Sequence, residues 1–510
     1  MRTRKYPTPD LIAEIGLIIL LGVQPIFMTN KYYNILSSKY VLFCLTSIFC
    51  LALCIIISVI KTDFSSPHTV INCIKERITA PDIVVILFAV VSTVSCLNSD
   101  YFLAALGGGQ GRKMGLVMNL CITFAYFFIA KYYKIKPRTF YFVSISLIIV
   151  CSLAAVQFVG YDPFGLIATL TSVRRKTFLS LIGNINVYAS YICLIAPFAM
   201  YMFCFTKDKI KSVFWCVISC FGFIGLFTAN SDSGYIGMAA AFILLFLLST
   251  KSEKSFMRIW ILILAFFVAA GAFRFVTIAY QDTLHPVTFL TRIVISTPVV
   301  IGGFFVSSVI VYIMRLFNPN KSILRKIRLV FLSLIIALGM LFVASFIYFS
   351  FIDTDSNLGS LENYLRFSEN WGTGRGDIWL KAFKTFSELP LDKKLFGAGE
   401  DTFALVLSDY LGYSEIVNDN SYYDNAHNEF IHYLLTIGIF GVTLYIMLAF
   451  YAIKAAVKSE NIIKNALLIP IVAFLFQSTV NILQPITSPL VYVLFALTQC
   501  NLSTEAEILK

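Results

Sequence analysis

Apolar runs close to bilayer length recur from one end of this chain to the other, and a single long polar stretch interrupts them. Fourteen such runs are present, at 11–28, 41–60, 82–97, 115–133, 141–159, 188–205, 213–229, 234–249, 259–276, 293–314, 329–352, 431–453, 465–483 and 487–500. About 20 residues of helix cross the hydrocarbon of a bilayer. The runs at 82–97, 234–249 and 487–500 are short enough to be tilted or partly re-entrant. Within lipid each backbone N–H and C=O must be bonded inside the protein, which selects helices over open strands. The pattern therefore predicts an all-α polytopic membrane protein with about 12–14 transmembrane helices. It also predicts one integral-membrane domain over residues 1–510 and a long extracytoplasmic loop, 353–428, within it. The first run is long and is followed by no small-residue cleavage site, so it is expected to remain as a span.

The long loop has a pattern of its own. From Arg375 to Leu389, apolar Ile378, Trp379, Ala382, Phe383, Phe386 and Leu389 recur at three- and four-residue steps. Asp377, Lys381, Lys384 and Glu388 lie opposite them. That spacing predicts a short amphipathic helix, stopped by Pro390, on the membrane surface or over the mouth of the bundle. Gly397-Ala398-Gly399-Glu400-Asp401 reads as a tight turn, with an apolar stretch after it through Leu411. A polar segment, Asp419 to Asp424, leads to His427, which opens the following helix.

Composition agrees with a membrane class: 58% of residues are hydrophobic and 13% charged, against about 25% charged in soluble proteins. Mean hydropathy is +0.81. The placement of basic residues sets the orientation. With the N-terminus inside, the inner segments hold 25 Lys and Arg, the short outer loops 9 and the long loop 6. Positive residues favour the cytoplasmic side, so both termini are expected inside and 353–428 outside. The net charge of +12 then serves attraction to anionic lipid and gives no argument for nucleic acid. Most of the 12 cysteines lie within apolar runs, where a thiol behaves as a small hydrophobe. None lies in the long loop, and none has zinc-ligand spacing with histidine, so no metal is expected.

Chemistry is expected in the loop. Arg375, between Gly374 and Gly376 at a helix start, offers planar paired donors suited to phosphate, beside free backbone N–H groups. His427 lies at the outer boundary, where a neutral imidazole takes a proton from a hydroxyl near pH 7. Asp424 or Glu429 is expected to orient its ring, while His432 packs within the bundle. The glycine-rich stretch Gly107 to Lys113 carries Arg112 and can wrap an anion, but it lacks the Walker spacing, which excludes nucleotide binding on that motif. Arg174, Arg175 and Lys176 form a basic outer cluster before Asn184, at the start of the sixth run, and Arg274 and Arg292 flank another outer loop. Gln477, Ser478, Thr479 and Asn481 read as a stripe for hydrogen bonding between helices.

Several motifs together resemble the O-antigen ligase and O-antigen polymerase superfamily. They are Gly374-Arg375-Gly376-Asp377-Ile378-Trp379, Phe396-Gly397-Ala398-Gly399, Ala426-His427-Asn428-Glu429-Phe430 and Ile437-Gly438-Ile439-Phe440-Gly441. Gly108 to Gly115 and Gly183-Asn184-Ile185-Asn186 extend the likeness, which spans roughly residues 100 to 450. The resemblance implies a metal-independent glycosyltransferase with no cofactor, in the bacterial cytoplasmic (inner) membrane, serving lipopolysaccharide or capsule assembly. Such enzymes move a glycan from a polyprenyl (undecaprenyl) diphosphate carrier to a sugar, lipid-linked or protein hydroxyl. The family's loop arginine, in an Arg-x-x-x-Trp setting, maps to Arg375, and its loop histidine to His427. A further family arginine stands in a Ser-Arg-Gly motif, where this chain has Ser231-Asp232-Ser233-Gly234. Arg112, Arg174 or Arg175 is then left to hold the diphosphate, with Asn184 as a further substrate contact. A flippase for lipid-linked oligosaccharide is the competing reading. It requires charges or broken helices near the bilayer midplane, where Glu14 is the main ionisable residue.

Overall fold

A computed structural model describes residues 8–61, 78–109, 112–280, 287–317, 319–412, 417–418 and 421–507. Among these, eleven helices are long and apolar enough to cross a membrane. The chain begins with α1 (Pro9–Ile18), continued by a π-helical turn, Ile19–Val23. Thr8 caps α1 through its side chain, and Pro9 suits the first position because its missing N–H has no helical partner there. Four helices follow: α2 (Ile35–Lys61), α3 (Ala80–Leu97), α4 (Leu116–Tyr132) and α5 (Pro137–Phe158). The middle of the chain forms α6 (Ile185–Phe205), α7 (Lys209–Ala229), α8 (Asp232–Ser249) and α9 (Glu253–Ala279). Two further helices, α10 (Thr297–Leu316) and α11 (Lys321–Phe351), lead to the long loop.

The loop contains α12 (Trp371–Glu388) and α13 (Phe403–Leu411). After it come α14 (Glu429–Thr436), α15 (Gly438–Lys458), α16 (Ile462–Gln477) and α17 (Ser488–Gln499). Each of the fourteen apolar runs carries helix. The run at 431–453 needs correction, because it is two helices broken at Ile437. Gly438 there has a φ of +71°, and a Cβ on it would sit 2.5 Å from the Gly397 nitrogen. A side chain at 438 meets both a left-handed backbone and a neighbouring chain. Gly438→Ala is therefore expected to cost at least ~1–3 kcal/mol, read as a lower midpoint in thermal melts of detergent-purified protein.

Burial orders the bundle. α6 is covered along nearly its whole length, whereas Leu324 is the one buried residue of α11. The apolar surface of α11, including Val330, Met340 and Leu341, faces outward as a lipid-contacting helix does. Gln477 and Asn481 link α6 to the α8 start and the end of α16. Ser190 Oγ donates to Gln477 Oε1 at 3.0 Å, and Gln477 Nε2 donates to Ser233 Oγ at 3.2 Å. Asn481 Nδ2 donates to the Asn186 carbonyl at 3.0 Å. Ser478 and Thr479 instead bond carbonyls of their own segment.

Glu14 is not an isolated midplane charge. The Arg138 fork reaches both its oxygens at 2.7 Å and Lys136 reaches it at 2.8 Å, at the end of the bundle away from the long loop. One feature required of the competing transporter is thus an ion-paired cluster at the connection before α5.

The long loop packs on a small apolar cluster of its own, including Ile378, Ala382, Leu389, Phe403, Leu407 and Leu435. It is tied to the end of α3. Ser95 Oγ donates to the Thr436 carbonyl at 2.6 Å and Ser99 Oγ to the Ala398 carbonyl at 2.7 Å. Tyr101 bonds Asp409, and Lys393 pairs with Asp100. These contacts fix the loop over one end of the bundle.

Candidate active site

The amphipathic helix predicted from 375 begins four residues earlier, at Trp371. Its entry is irregular: Gly372 has a φ of +59° and Gly374 of +90°, values that glycine alone adopts without penalty. Arg375 consequently sits inside the helix rather than on its first turn. The nearby N–H groups are not free for an anion, since Gly374 N bonds the Asn370 carbonyl and Asp377 N the Glu369 carbonyl.

The Arg375 side chain turns back, Nη1 donating to the Gly372 carbonyl at 2.6 Å. Its Nε is buried without a partner. Burial disfavours its charge, while Asp232 and Tyr364 support it; a guanidinium stays protonated under such a balance. Tyr364 Oη donates to Asp232 Oδ2 at 2.7 Å, and Asp232 Oδ1 is buried without a partner.

One turn beyond Arg375, Trp379 Nε1 donates to the Ala426 carbonyl at 3.0 Å. Residues four apart share a helix face, so this bond brings Arg375 and the His427 segment to one side. His427 holds a φ of +50°, its backbone N donating to Asn425 Oδ1 at 3.0 Å. Burial, then the charges of Arg375 and Arg112, push the imidazole down to about 3. His427 is therefore neutral at pH 7, within reach of the charges of two arginines.

Arg112 joins this cluster. Its Nε and Nη2 grip the two oxygens of Asp424 at 2.8 Å each. Asp424, expected to orient His427, is thus occupied by Arg112. Glu429 is likewise engaged elsewhere, accepting from Tyr445 Oη at 3.2 Å. A carboxylate beside a fixed arginine fork or a buried phenol gains more there than from a neutral ring. His432 is fully buried and stacks on Phe403, ring centroids 5.5 Å apart, as expected of a packing residue.

Arg174 and Arg175 lie on an exposed segment, and Arg175 bonds the Leu170 and Ala168 carbonyls of its own loop. Neither is among the charges acting on Arg375 or His427. Asn184 caps α6, its side chain accepting from Asn186 N at 2.9 Å. The structure thus gathers Arg375, His427, Arg112 and Asp424, and leaves Arg174, Arg175 and Asn184 outside.

Sequence reasoning missed two features. Asp232 and Tyr364 stand beside Arg375; the signal was the departure at Ser231-Asp232-Ser233-Gly234, read as a lost arginine rather than a carboxylate facing one. The second is the Glu400–Asp401 turn. Glu400 accepts from Asn119 Nδ2 at 2.8 Å and Asp401 from Met114 N at 3.1 Å. Gly109 packs closely on this turn, a Cβ there falling 2.5 Å from the Asp401 carbonyl. Gln110, Gly111, Asp419 and Asn420 lie outside the described residues.

Burial pushes both carboxyls up to about 8. Their folded-state values exceed the unfolded ones of about 4, so the folded protein binds more protons between these limits. Stability is then fully present below about pH 4 and falls as pH rises toward 8. Glu400→Gln is expected to flatten that decline, measured as melting temperature from pH 5 to 9.

Among the described residues no three His, Cys, Asp or Glu side chains are grouped as metal ligands. Neither a curated protein nor a solved structure matches the chain. Residues 287–446, which contain both Arg375 and His427, match the family model described as O-Antigen ligase, and this supports the chain's place in the O-antigen ligase and polymerase superfamily.

Proposed function

We propose that this protein is a metal-independent membrane glycosyltransferase. It moves a glycan from a polyprenyl (undecaprenyl) diphosphate to an acceptor hydroxyl at the outer face of the cytoplasmic membrane. The observations that support this reading are the Trp379–Ala426 bond, which ties the Arg375 helix to the His427 segment, and the Arg375 charge acting on the His427 imidazole.

The chemistry needs little beyond positioning and charge. The acceptor oxygen attacks the anomeric carbon, and the bond to the diphosphate breaks with its electron pair leaving on the phosphate oxygen. The hydroxyl proton passes to His427. Arg375, with Arg112 near it, stabilises the charge that grows on the diphosphate. Burial first, and then these same cations, weaken His427 as a base before the donor binds. A bound diphosphate offsets them, so the imidazole gains proton affinity when the donor is in place. Fixed geometry supplies the rest, holding hydroxyl and donor within attack distance.

An apolar groove of about 510 Å³ between α8 and α9 is lined by Tyr235, Phe242, Phe266, Leu290 and Val294. Phe289, adjacent to Leu290, packs on Tyr364 with ring centroids 5.4 Å apart. The groove is suited to an isoprenoid chain whose head lies near Arg375.

The test is reconstitution of purified protein with a lipid-linked glycan and an acceptor. Release of polyprenyl diphosphate with a new glycoside, without ATP or an ion gradient, supports transfer. Movement of intact donor across the bilayer without any new glycoside supports the flippase. The glycan that accumulates in a deletion strain separates ligase from polymerase.

A further inference from the structure

We propose that Asp232 is the counter-charge of Arg375 before the donor binds, and that it limits how tightly the site holds the diphosphate released by transfer. The inference rests on the glycosyltransferase reading above and names what governs the release of its second product.

Asp232 opens α8. Tyr235 and Ile236, three and four residues on, share its helix face and line the apolar groove suited to the isoprenoid chain. The carboxylate therefore stands at the end of that groove where the long loop meets it. Tyr364 of the loop holds it there, Oη donating to Asp232 Oδ2 at 2.7 Å. The Tyr364 carbonyl accepts in turn from Trp371 Nε1 at 3.3 Å. Trp371 lies one turn before Arg375 on α12. Two hydrogen bonds thus connect Asp232 to the helix that carries the guanidinium.

The two opposite charges are near each other but bonded elsewhere. Arg375 Nη1 donates to the Gly372 carbonyl at 2.6 Å, while Asp232 accepts from Tyr364. Arg375 Nε and Asp232 Oδ1 make no hydrogen bond. Burial disfavours the Arg375 charge, and Asp232 is the first group that supports it. A paired fork would use up the planar donors of the arginine; Tyr364 prevents this by keeping one carboxylate oxygen for itself. Arg375 keeps donors for a diphosphate, and Asp232 keeps a negative charge beside the same place. Arg112 adds no surplus cation, since Asp424 is paired with it. A diphosphate is then attracted by Arg375 and repelled by Asp232. Tight holding of donor and product alike would gain nothing in turnover, and the carboxylate keeps the product from blocking the next donor.

Binding of undecaprenyl diphosphate and of undecaprenol to the detergent-purified full-length protein, measured by microscale thermophoresis, tests this. Asp232→Asn keeps an acceptor for Tyr364 and removes the charge. It is expected to tighten the diphosphate about tenfold, the size one nearby like charge has in a partly buried site, and to leave undecaprenol unchanged. Tyr364→Phe frees the carboxylate to pair with Arg375 and is expected to weaken the diphosphate several-fold. A role for Asp232 only at the α8 N-terminus predicts a lower melting temperature without any gain in affinity. Unchanged or weaker diphosphate binding in the Asn variant, or an equal gain for undecaprenol, overturns the proposal and leaves the glycosyltransferase reading standing. Should the Asn variant not fold, unchanged or tighter diphosphate binding in Tyr364→Phe overturns it instead. Wild-type protein that binds undecaprenyl diphosphate no better than undecaprenol overturns both.

Discussion

Arg375→Ala is expected to cut glycan transfer by about 10²–10³-fold, the usual effect of removing one preorganised donor from a developing anion. The size follows from where the guanidinium sits. It is largely buried, its Nε has no partner, and the nearby Asp232 and Tyr364 support its charge. A diphosphate in that position meets a cation already desolvated, so little reorganisation accompanies reaction. Arg375→Lys keeps a charge but loses the planar fork, and it is expected to recover only part of the rate. The measurement is single-turnover transfer with saturating lipid-linked donor, alongside a thermal melt. Wild-type transfer by the alanine variant would remove Arg375 from the mechanism.

The second large effect belongs to His427. His427→Ala is expected to lower transfer by roughly 10²–10⁴-fold, as loss of a general base does. A structural role alone predicts a drop in melting temperature instead, because the segment is held through backbone atoms, by Trp379 on Ala426 and by Asn425 on the His427 N–H. Its pH behaviour provides a further check. Before the donor binds, burial and the two arginines push the imidazole down to about 3. With the diphosphate offsetting those charges, the acid limb of kcat is expected at higher pH than that of kcat/KM. Coincident limbs, or activity retained in the alanine variant, would count against His427 as the base.

The glycine-flanked arginine and the loop histidine stand out in the sequence because their residue types carry the chemistry by themselves. Their partners do not. Asp232 begins a membrane helix far along the chain from Arg375, and nothing in the local spacing signals that the two meet. Asp424 and Glu429 are close to His427 in sequence, yet they bind Arg112 and Tyr445, since nearness along a chain does not set direction in a loop. Glu400 and Asp401 look like turn residues until burial raises both.

By itself the sequence determined the membrane class, the positions of the fourteen apolar runs and the helix after Arg375. Those features follow from local periodicity and from the requirement that backbone in lipid be bonded within its own helix. Tertiary structure alone decided the break at Ile437–Gly438, the partners of the site's carboxylates and the paired charges around Glu14. Each of these depends on which segments, distant in the chain, are pressed together. Close approach and desolvation between such segments leave no trace in the order of residues.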